Sequence, residues 1–300
     1  MASFKDFSNY KFEFIRLDKK ITKKCTPAAY YQRWMEKYAK IFKSDFSNLC
    51  GIEWDLRCKK ALREVFASST FYVEAKKGLR MRCYASYYFC LYYSLFHAIY
   101  AVILFDTNTA FSSFVDITHS NLINIFVSNF ANSKKDVLSK SVKQQFYNLK
   151  YRREYYSYVT PINNLFNYEE DLQDLKETVQ DCFQLASFHS LMVENSYNKN
   201  VKSIINFTNS EEVYEFQDMF EKLFAKRNKE GKRFNIDPAV ENYRNEMLTY
   251  GCRPDYFALD LEHQYDELHT YDGFYDEKDE KSEEAVMASE IFSFVYEAIN

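Results

Sequence analysis

Apolar side chains recur every three or four residues along most of this chain, which is the periodicity of an amphipathic helix. One such run follows Thr26-Pro27, an N-cap and a first helical position. Tyr30, Trp34 and Tyr38 lie four residues apart, and they predict a helix to about Lys43. The same spacing predicts helices over residues 53–67, 80–105, 119–130, 168–195, 238–250 and 283–298, a helix from residue 210 to the basic run at 226–233, and one or two helices over 139–158.

Residues that break helices or form tight turns are scarce, with 5 Gly and 4 Pro in 300 residues. A β-sandwich or a doubly wound sheet needs such turn residues at regular spacing. The fold class is therefore predicted to be all-α. Residues 53–195 are expected to form one helical bundle, with an N-terminal helical segment over 1–52 and a helical C-terminal extension over 196–300.

Aromatic residues are abundant, with 28 Phe and 26 Tyr. An unpaired buried hydroxyl is costly, so an aromatic core is expected in which the tyrosine hydroxyls find partners. One uncharged stretch, Cys83 to Phe105, is long enough to span a bilayer. Its tyrosines, serines and histidine lie through the middle rather than at the ends, which favours a buried central helix over a membrane span.

The seven cysteines are scattered and show no Cys-x-x-Cys spacing, and no pair among the Cys and the five His has metal-ligand spacing. We expect reduced thiols, no metal site and no cofactor, since phosphate-loop and dinucleotide motifs are also missing. The charged N-terminus lacks the apolar run of a signal peptide, which favours a cytoplasmic location without a membrane partner.

Negative charge is concentrated in residues 260–284, where eleven Asp or Glu accompany two Lys. One interpretation is a solvated loop before the last helix. The other is an acidic strip that covers a basic groove and competes with nucleic acid.

Three short motifs carry the strongest functional signal. They are Ser-Leu-Phe-His-Ala at 94–98, Thr-His-Ser at 118–120, and Arg-Arg-Glu-Tyr-Tyr-Ser-Tyr at 152–158. In order and spacing they resemble the HEPN superfamily, in particular the subgroup with an Arg-x-x-x-x-Tyr motif. The resemblance covers about residues 53 to 195. Two departures stand out: Tyr158 replaces the usual His of nuclease members, and Tyr156 and Ser157 stand where the Tyr subgroup has Ala and Asp.

The resemblance implies a HEPN-like helical bundle that forms a homodimer, with the Arg motifs facing one shared cleft. It also implies a role in toxin–antitoxin or antiviral defence, with RNA or nucleotide as ligand and a cognate antitoxin or defence subunit as partner. Arg153 and Tyr158 would be the catalytic residues of a metal-independent endoribonuclease.

The chemistry of the side chains is consistent with that role. Metal-independent RNA cleavage needs a proton carrier and a cation at the phosphate, and the planar fork of Arg153 suits phosphate oxygens. His97 or His119 could serve as the proton carrier, although each could equally be a hydrogen-bonded core residue. Arg152 and Ser157 are further candidates for supporting roles. The tyrosines around Arg152 and Arg153 could stack on unpaired bases, or could form the core face of a helix.

Two other functions stay open. The chain could be a non-catalytic HEPN-type module that binds RNA, nucleotide or a protein partner, and whose motif tyrosine is the target of a nucleotidyltransferase. Alternatively, it could be a structural subunit of a defence assembly that docks through residues 196–300.

Overall fold

The computed structural model describes residues 2–159, 166–225, 238–270 and 283–300. Over these ranges the chain forms helices and no sheet, with two isolated β-bridges, Thr22–Cys25 and Ile205–Cys252. The predicted all-α class is confirmed. In chain order the helices are α1 (Ile15–Asp18), α2 (Pro27–Ala39), α3 (Asn48–Arg80), α4 (Tyr84–Ile103), α5 (His119–Phe130), α6 (Ser141–Tyr158), α7 (Tyr168–Asn200), α8 (Ser210–Phe224), α9 (Pro238–Tyr250), α10 (Leu261–Thr270) and α11 (Glu283–Ile299).

Several boundaries agree with the sequence patterns. The Thr26 hydroxyl accepts a hydrogen bond from the Ala29 N–H and caps α2, and a π-helical turn, Lys40–Ser44, prolongs that helix. α5 begins and ends where the apolar spacing placed it, and residues 139–158 contain one helix rather than two. The basic run at 226–233 lies outside the described residues.

α3 and α4 form a hairpin with the most extensive helix–helix packing among the described residues. α3 is much longer than the predicted 53–67: it starts after Ser47, whose side chain caps the Cys50 N–H, and it runs for 33 residues. It ends in a Schellman arrangement in which the Cys83 N–H donates to the Gly78 carbonyl at 2.8 Å. Arg82 occupies the left-handed position at φ 56°, a place more often taken by glycine. The chain therefore reverses in three residues and lays α4 along α3.

Helix α4 is the centre of the bundle. It contacts α3, α5, α6 and α7, and buried side chains lie on nearly all sides of its axis. Its tyrosines meet partners as expected: the hydroxyls of Tyr87 and Tyr100 donate to the carbonyls of Tyr168 and Phe114. Among the described residues no helix is long and apolar enough to cross a membrane.

A chain of buried hydrogen bonds fastens α2 and α7 to the end of α4. His189 on α7 is fully buried, and its ring nitrogens bond the hydroxyls of Tyr30 at 2.9 Å and Tyr38 at 2.8 Å. The Tyr38 hydroxyl donates to the Phe105 carbonyl, so it must accept from His189 Nδ1–H, which fixes the tautomer. Burial, with Lys37 and Arg33 nearby, holds the pKa of His189 well below its usual value and keeps the ring neutral.

The C-terminal helices pack onto this bundle. α8 contacts α3, and α11 contacts both α3 and α7. The prediction of a solvated loop over residues 260–284 is wrong for the first part of that range, because Leu261–Thr270 is helical. Leu261 is buried and Tyr265 lies 4.7 Å from Phe292 between ring centroids, so an apolar edge is present among the acidic residues. Residues 271–282 lie outside the described ranges.

Replacing Tyr38 by Phe should destabilise the fold, because His189 Nδ1–H and the Phe105 carbonyl would both lose their partner. We expect the free energy of unfolding, measured by urea titration, to fall by about 1–3 kcal/mol. Tyr147→Phe is a suitable control, since Tyr147 is 39% exposed, and it should change stability by less than about 0.5 kcal/mol. Equal effects of the two substitutions would contradict the role of this hydrogen-bond chain.

Candidate functional site

Arg153 lies on the side of α6 that faces the bundle. α6 packs on α4 through Val142, Phe146, Leu149 and Tyr156, all buried. Arg153 shares that side, and its guanidinium carbon stands 4.5 Å from the centre of the Tyr92 ring and 5.9 Å from that of Tyr93. Such distances are those of cation–π contacts. The packing of α6 thus holds the cation against two aromatic side chains of α4.

The guanidinium of Arg153 has few protein partners. Its side chain is 17% exposed, and its one ion pair among the described residues is a 3.3 Å contact with Glu154, its half-exposed neighbour. A guanidinium carries five N–H donors. Most of them are therefore open to water or to an anion from outside the chain.

His119 lies beside this cation, as the first residue of α5. The Thr118 side chain caps the helix by accepting from the Asn121 N–H. The His119 ring stacks on Tyr92 at 5.4 Å, its Nδ1 is hydrogen-bonded to the Tyr92 hydroxyl, and it lies 5.0 Å from the Phe96 ring. Among the described residues Nε2 has no hydrogen-bond partner. Tyr92 therefore fixes the orientation of the imidazole through one nitrogen and leaves the other available.

Burial lowers the pKa of His119 below its usual value, and the positive charges of Arg153 and Lys150 lower it further, while Glu154 opposes them. The imidazole is consequently neutral near pH 7 and able to accept a proton. We call Arg153, His119 and the Tyr92 ring between them the Arg153–His119 site.

His97 is a neighbour of this site, with its ring 6.4 Å from that of Tyr93. Its Nδ1 lies 2.5 Å from Glu64 Oε2, and its ring stacks on Phe71 at 5.4 Å. Burial would raise the pKa of Glu64, but Lys60 and His97 lower it to about 2, so the carboxylate is charged. Phe96 lies 5.4 Å from His97 and touches His119 as well. The two histidines are therefore neighbours across one aromatic residue.

Tyr158 does not lie next to Arg153 in the structure. α6 is a regular helix through both residues, and five positions correspond to about 500° of rotation, which leaves Tyr158 about 140° around the axis from Arg153. Its side chain is 83% exposed. Ser157, four residues from Arg153, is one turn away on the same side and is also exposed. Within one chain, then, the second motif residue faces solvent.

Arg152 belongs to a different groove. It forms an ion pair with Asp171 of α7, and its guanidinium lies 4.9 Å from the Phe166 ring centre. It lines a polar groove of about 540 Å³ between α6 and α7, together with Asn148 and Asp174. The two adjacent arginines, about 100° apart around α6, therefore enter different grooves, and of the two only Arg153 is next to a histidine.

Three residues in or beside the site have no distinct signal in the sequence. Tyr92 and Tyr93 stand out only as members of an aromatic helix, although both contact Arg153 and His119. Glu64 lies inside a predicted helix, and no pattern indicates its pairing with His97, 33 residues later. Predicting the Glu64–His97 pair would require knowing how α3 and α4 are aligned along each other.

Comparison of the chain with protein-family models, curated proteins and solved structures found no significant match. Within the described part of the chain, no three His, Cys, Asp or Glu side chains are placed to hold a metal ion. The geometry of the Arg153–His119 site is therefore the main structural indication of function.

Removing the positive charge of Arg153 should raise the pKa of His119, because that charge disfavours the imidazolium. We expect Arg153→Met to move the His119 titration towards 6.5, measured by NMR of the imidazole Cε1–H signal against pH. Arg152→Met is the matched control, since Arg152 is paired with Asp171 and is not among the charges that act on His119. Equal shifts in both variants, or none in either, would contradict the arrangement.

Glu64 should stabilise the fold in a pH-dependent way. A carboxyl whose pKa is lowered to about 2 in the folded state contributes stability above its unfolded pKa, and this stability is lost as pH falls towards 2. We expect Glu64→Gln to lower the free energy of unfolding by on the order of 1–3 kcal/mol at pH 7 and by much less at pH 3. Urea titrations at both pH values test this, with the exposed Glu74→Gln on the same helix as control. A deficit that is equal at both pH values would contradict it.

Proposed function

We propose that this chain is a HEPN-like, metal-independent endoribonuclease in which Arg153 binds the scissile phosphate and His119 carries the proton. The observation that carries this proposal is the nearly unpaired, 17%-exposed guanidinium of Arg153 beside an oriented imidazole with a lowered pKa. Buried cations normally have carboxylate partners. A site with a cation, no full partner and a neutral base nearby is suited to an incoming phosphodiester.

The reaction needs three things from the protein. His119 Nε2 removes the proton from the ribose 2′-hydroxyl, and the resulting oxygen attacks the adjacent phosphorus. Arg153 stabilises the negative charge that accumulates on the non-bridging oxygens. The bond from phosphorus to the 5′-oxygen breaks, that oxygen takes up the proton that His119 carries, and the products are a 2′,3′-cyclic phosphate, a free 5′-hydroxyl and a neutral His119. The reaction involves no redox change and needs no cofactor.

His119 is the better base on two grounds. Its Nε2 is without a protein partner among the described residues, and its hydrogen bond to Tyr92 orients the ring. A phenol has a pKa near 10 and is a poor base at neutral pH, and Tyr158 faces away from Arg153. In this proposal Arg153 of the Arg-x-x-x-x-Tyr motif binds the phosphate, while the proton carrier comes from the Thr-His-Ser motif at the start of α5 instead of from Tyr158. His97, whose Nδ1 is held by Glu64, is positioned to assist from the other side of Phe96.

The outer face of α6 suits the partners that the resemblance implies. Tyr147, Tyr151 and Tyr158 are 39%, 60% and 83% exposed and share one side of the helix by their spacing. Aromatic rings in such a row can stack on unpaired bases or pack on a second copy of the chain in a homodimer. A cognate antitoxin or another defence subunit could cover the same face.

A second candidate function, a non-catalytic HEPN-type binding module, is favoured by one observation. Tyr158 is the most exposed of the motif tyrosines, and no described residue bonds its hydroxyl. That position suits recognition of a partner, or modification by a nucleotidyltransferase, better than it suits catalysis. In this function Arg153 would bind RNA or nucleotide without cleaving it.

Incubation of the protein with a defined single-stranded RNA in EDTA separates these functions. We expect fragments with 2′,3′-cyclic phosphate ends, resolved by gel and mass spectrometry. Arg153→Met should slow cleavage by about 10²-fold or more, and His119→Asn by about 10²–10⁴-fold. Tyr158→Phe should leave the rate within about twofold, because its hydroxyl is remote from the cation.

The control is Arg152→Met, which removes the same charge from the adjacent position. Cleavage that depends on Tyr158 but not on His119 would refute the assignment of the proton carrier. RNA that is bound through Arg153 yet stays intact would favour the binding module. A protein that neither binds nor cleaves the RNA would contradict both functions.

A further inference from the structure

A pocket of about 320 Å³ lies between α3, the C-terminal part of α7 and the segment after α9. It brings together Asp55, Lys59 and Leu62 of α3 with Glu194 of α7 and with Arg253. No residue of the Arg153–His119 site lines it, so a ligand bound in this pocket would be independent of the proposed function.

The deepest polar group in this pocket is only half satisfied. Asp55 is 2% exposed, and its Oδ2 accepts from the Arg253 backbone N–H at 3.0 Å. Its Oδ1 is buried and has no hydrogen-bond partner among the described residues. The nearest cation, Lys59 Nζ, lies 3.7 Å away, beyond hydrogen-bond length. A buried carboxylate oxygen without a donor costs free energy, so this oxygen is a ready acceptor for an incoming N–H.

The charges around the pocket are unbalanced. Four carboxylates line it, those of Asp55, Glu194, Asp255 and Asp260, but only two cations, Lys59 and Arg253. Burial raises the pKa of Asp55 to about 6, more than Lys59 lowers it, and burial also raises the pKa of Glu194. Both shifts arise mainly from burial, so each carboxylate is poorly solvated when ionised and a further positive charge would stabilise it.

The remaining walls are apolar. Leu62, Tyr256 and Phe257 are 1%, 1% and 4% exposed and face the same space. A hydrated inorganic cation gains nothing from such walls, whereas a carbon chain buries apolar surface against them. A ligand that fits the whole pocket therefore has a positively charged donor at one end and an aliphatic part behind it.

We propose that this pocket binds a small aliphatic primary ammonium ion, which donates to Asp55 Oδ1 and lays its carbon chain along Leu62 and Phe257. The ammonium supplies the missing donor and reduces the excess of negative charge. Lys59 stays in place, because it lies within 5.2 Å of the Tyr243 ring and is shared with the other carboxylates.

Isothermal titration of the wild-type protein with n-butylamine hydrochloride tests this, with n-butanol as the uncharged probe of the same shape. We expect saturable binding of the amine at pH 7.5, with one site per chain, and no saturable binding of the alcohol. Asp55→Asn should weaken amine binding at least tenfold. Glu169→Gln is the matched control: it removes one negative charge from the exposed start of α7, about 37 Å along the helix from Glu194, and it should leave the affinity unchanged.

A second measurement needs no substitution. Because the ammonium requires the ionised form of Asp55, the dissociation constant of n-butylamine in wild-type protein should rise about tenfold per pH unit below pH 6. The asparagine side chain can still accept the Arg253 N–H, so near-UV circular dichroism should show a folded Asp55→Asn variant. An absence of saturable amine binding, equal binding of n-butanol, or an affinity independent of pH between 4.5 and 7.5 would each overturn the proposal.

Discussion

The burial of α4 is the constraint on which the rest of this structure depends. A helix that carries aromatic and aliphatic side chains around most of its circumference must be covered on most sides. α3 covers it over its length through the three-residue reversal at Arg82, and α5, α6 and α7 cover other sides, while Phe89 stays 44% exposed. Outside this shell, α2 packs on α7, and α11 packs on both α3 and α7. The Tyr30–His189–Tyr38 chain lies where α2 meets the core.

The same constraint produces the Arg153–His119 site. Tyr92 and Tyr93 belong to α4 and contact Arg153 of α6 and His119 of α5. Tyr93 also packs on Phe71 of α3, at 5.6 Å between ring centroids. Arg153 presents its guanidinium to this aromatic face and gains cation–π contacts. Its one carboxylate partner among the described residues is Glu154, from its own helix, at 3.3 Å. Arg153 is consequently held in place by packing and left with open donors. His119 is held in the same way, by one hydroxyl and by ring contacts.

Local signals in the sequence accounted for most of the fold and for part of the site. Caps and spacing placed α2, α5 and α9 well, because an N-cap and a run of apolar residues are both local. They failed for α3, whose second half is stabilised by packing on α4, and for α10, where acidic residues obscured the apolar edge formed by Leu261 and Tyr265. The motifs predicted Arg153 and His119 as candidates. They could not predict that His119 is next to Arg153 and Tyr158 is not, since that depends on which face of α6 meets α4. The pocket at Asp55 had no sequence signal, because Asp55 and Arg253 are 198 residues apart.

The two sites are opposite in charge and alike in origin. At Arg153 the one carboxylate partner among the described residues is Glu154, at 3.3 Å, and at Asp55 one carboxylate oxygen has no donor among them. Aromatic side chains lie against Arg153 and line the pocket at Asp55. A core built from Phe and Tyr fills space well, but each ring offers at most one hydroxyl, at a fixed distance from its Cα. Tyr38 and Tyr92 reach a histidine with that hydroxyl. No tyrosine hydroxyl bonds Asp55 Oδ1 among the described residues, and none of the rings around Arg153 offers it an anion. Incomplete pairing of buried charge is therefore a consequence of this composition, and it leaves polar groups that an exogenous phosphate or ammonium can complete.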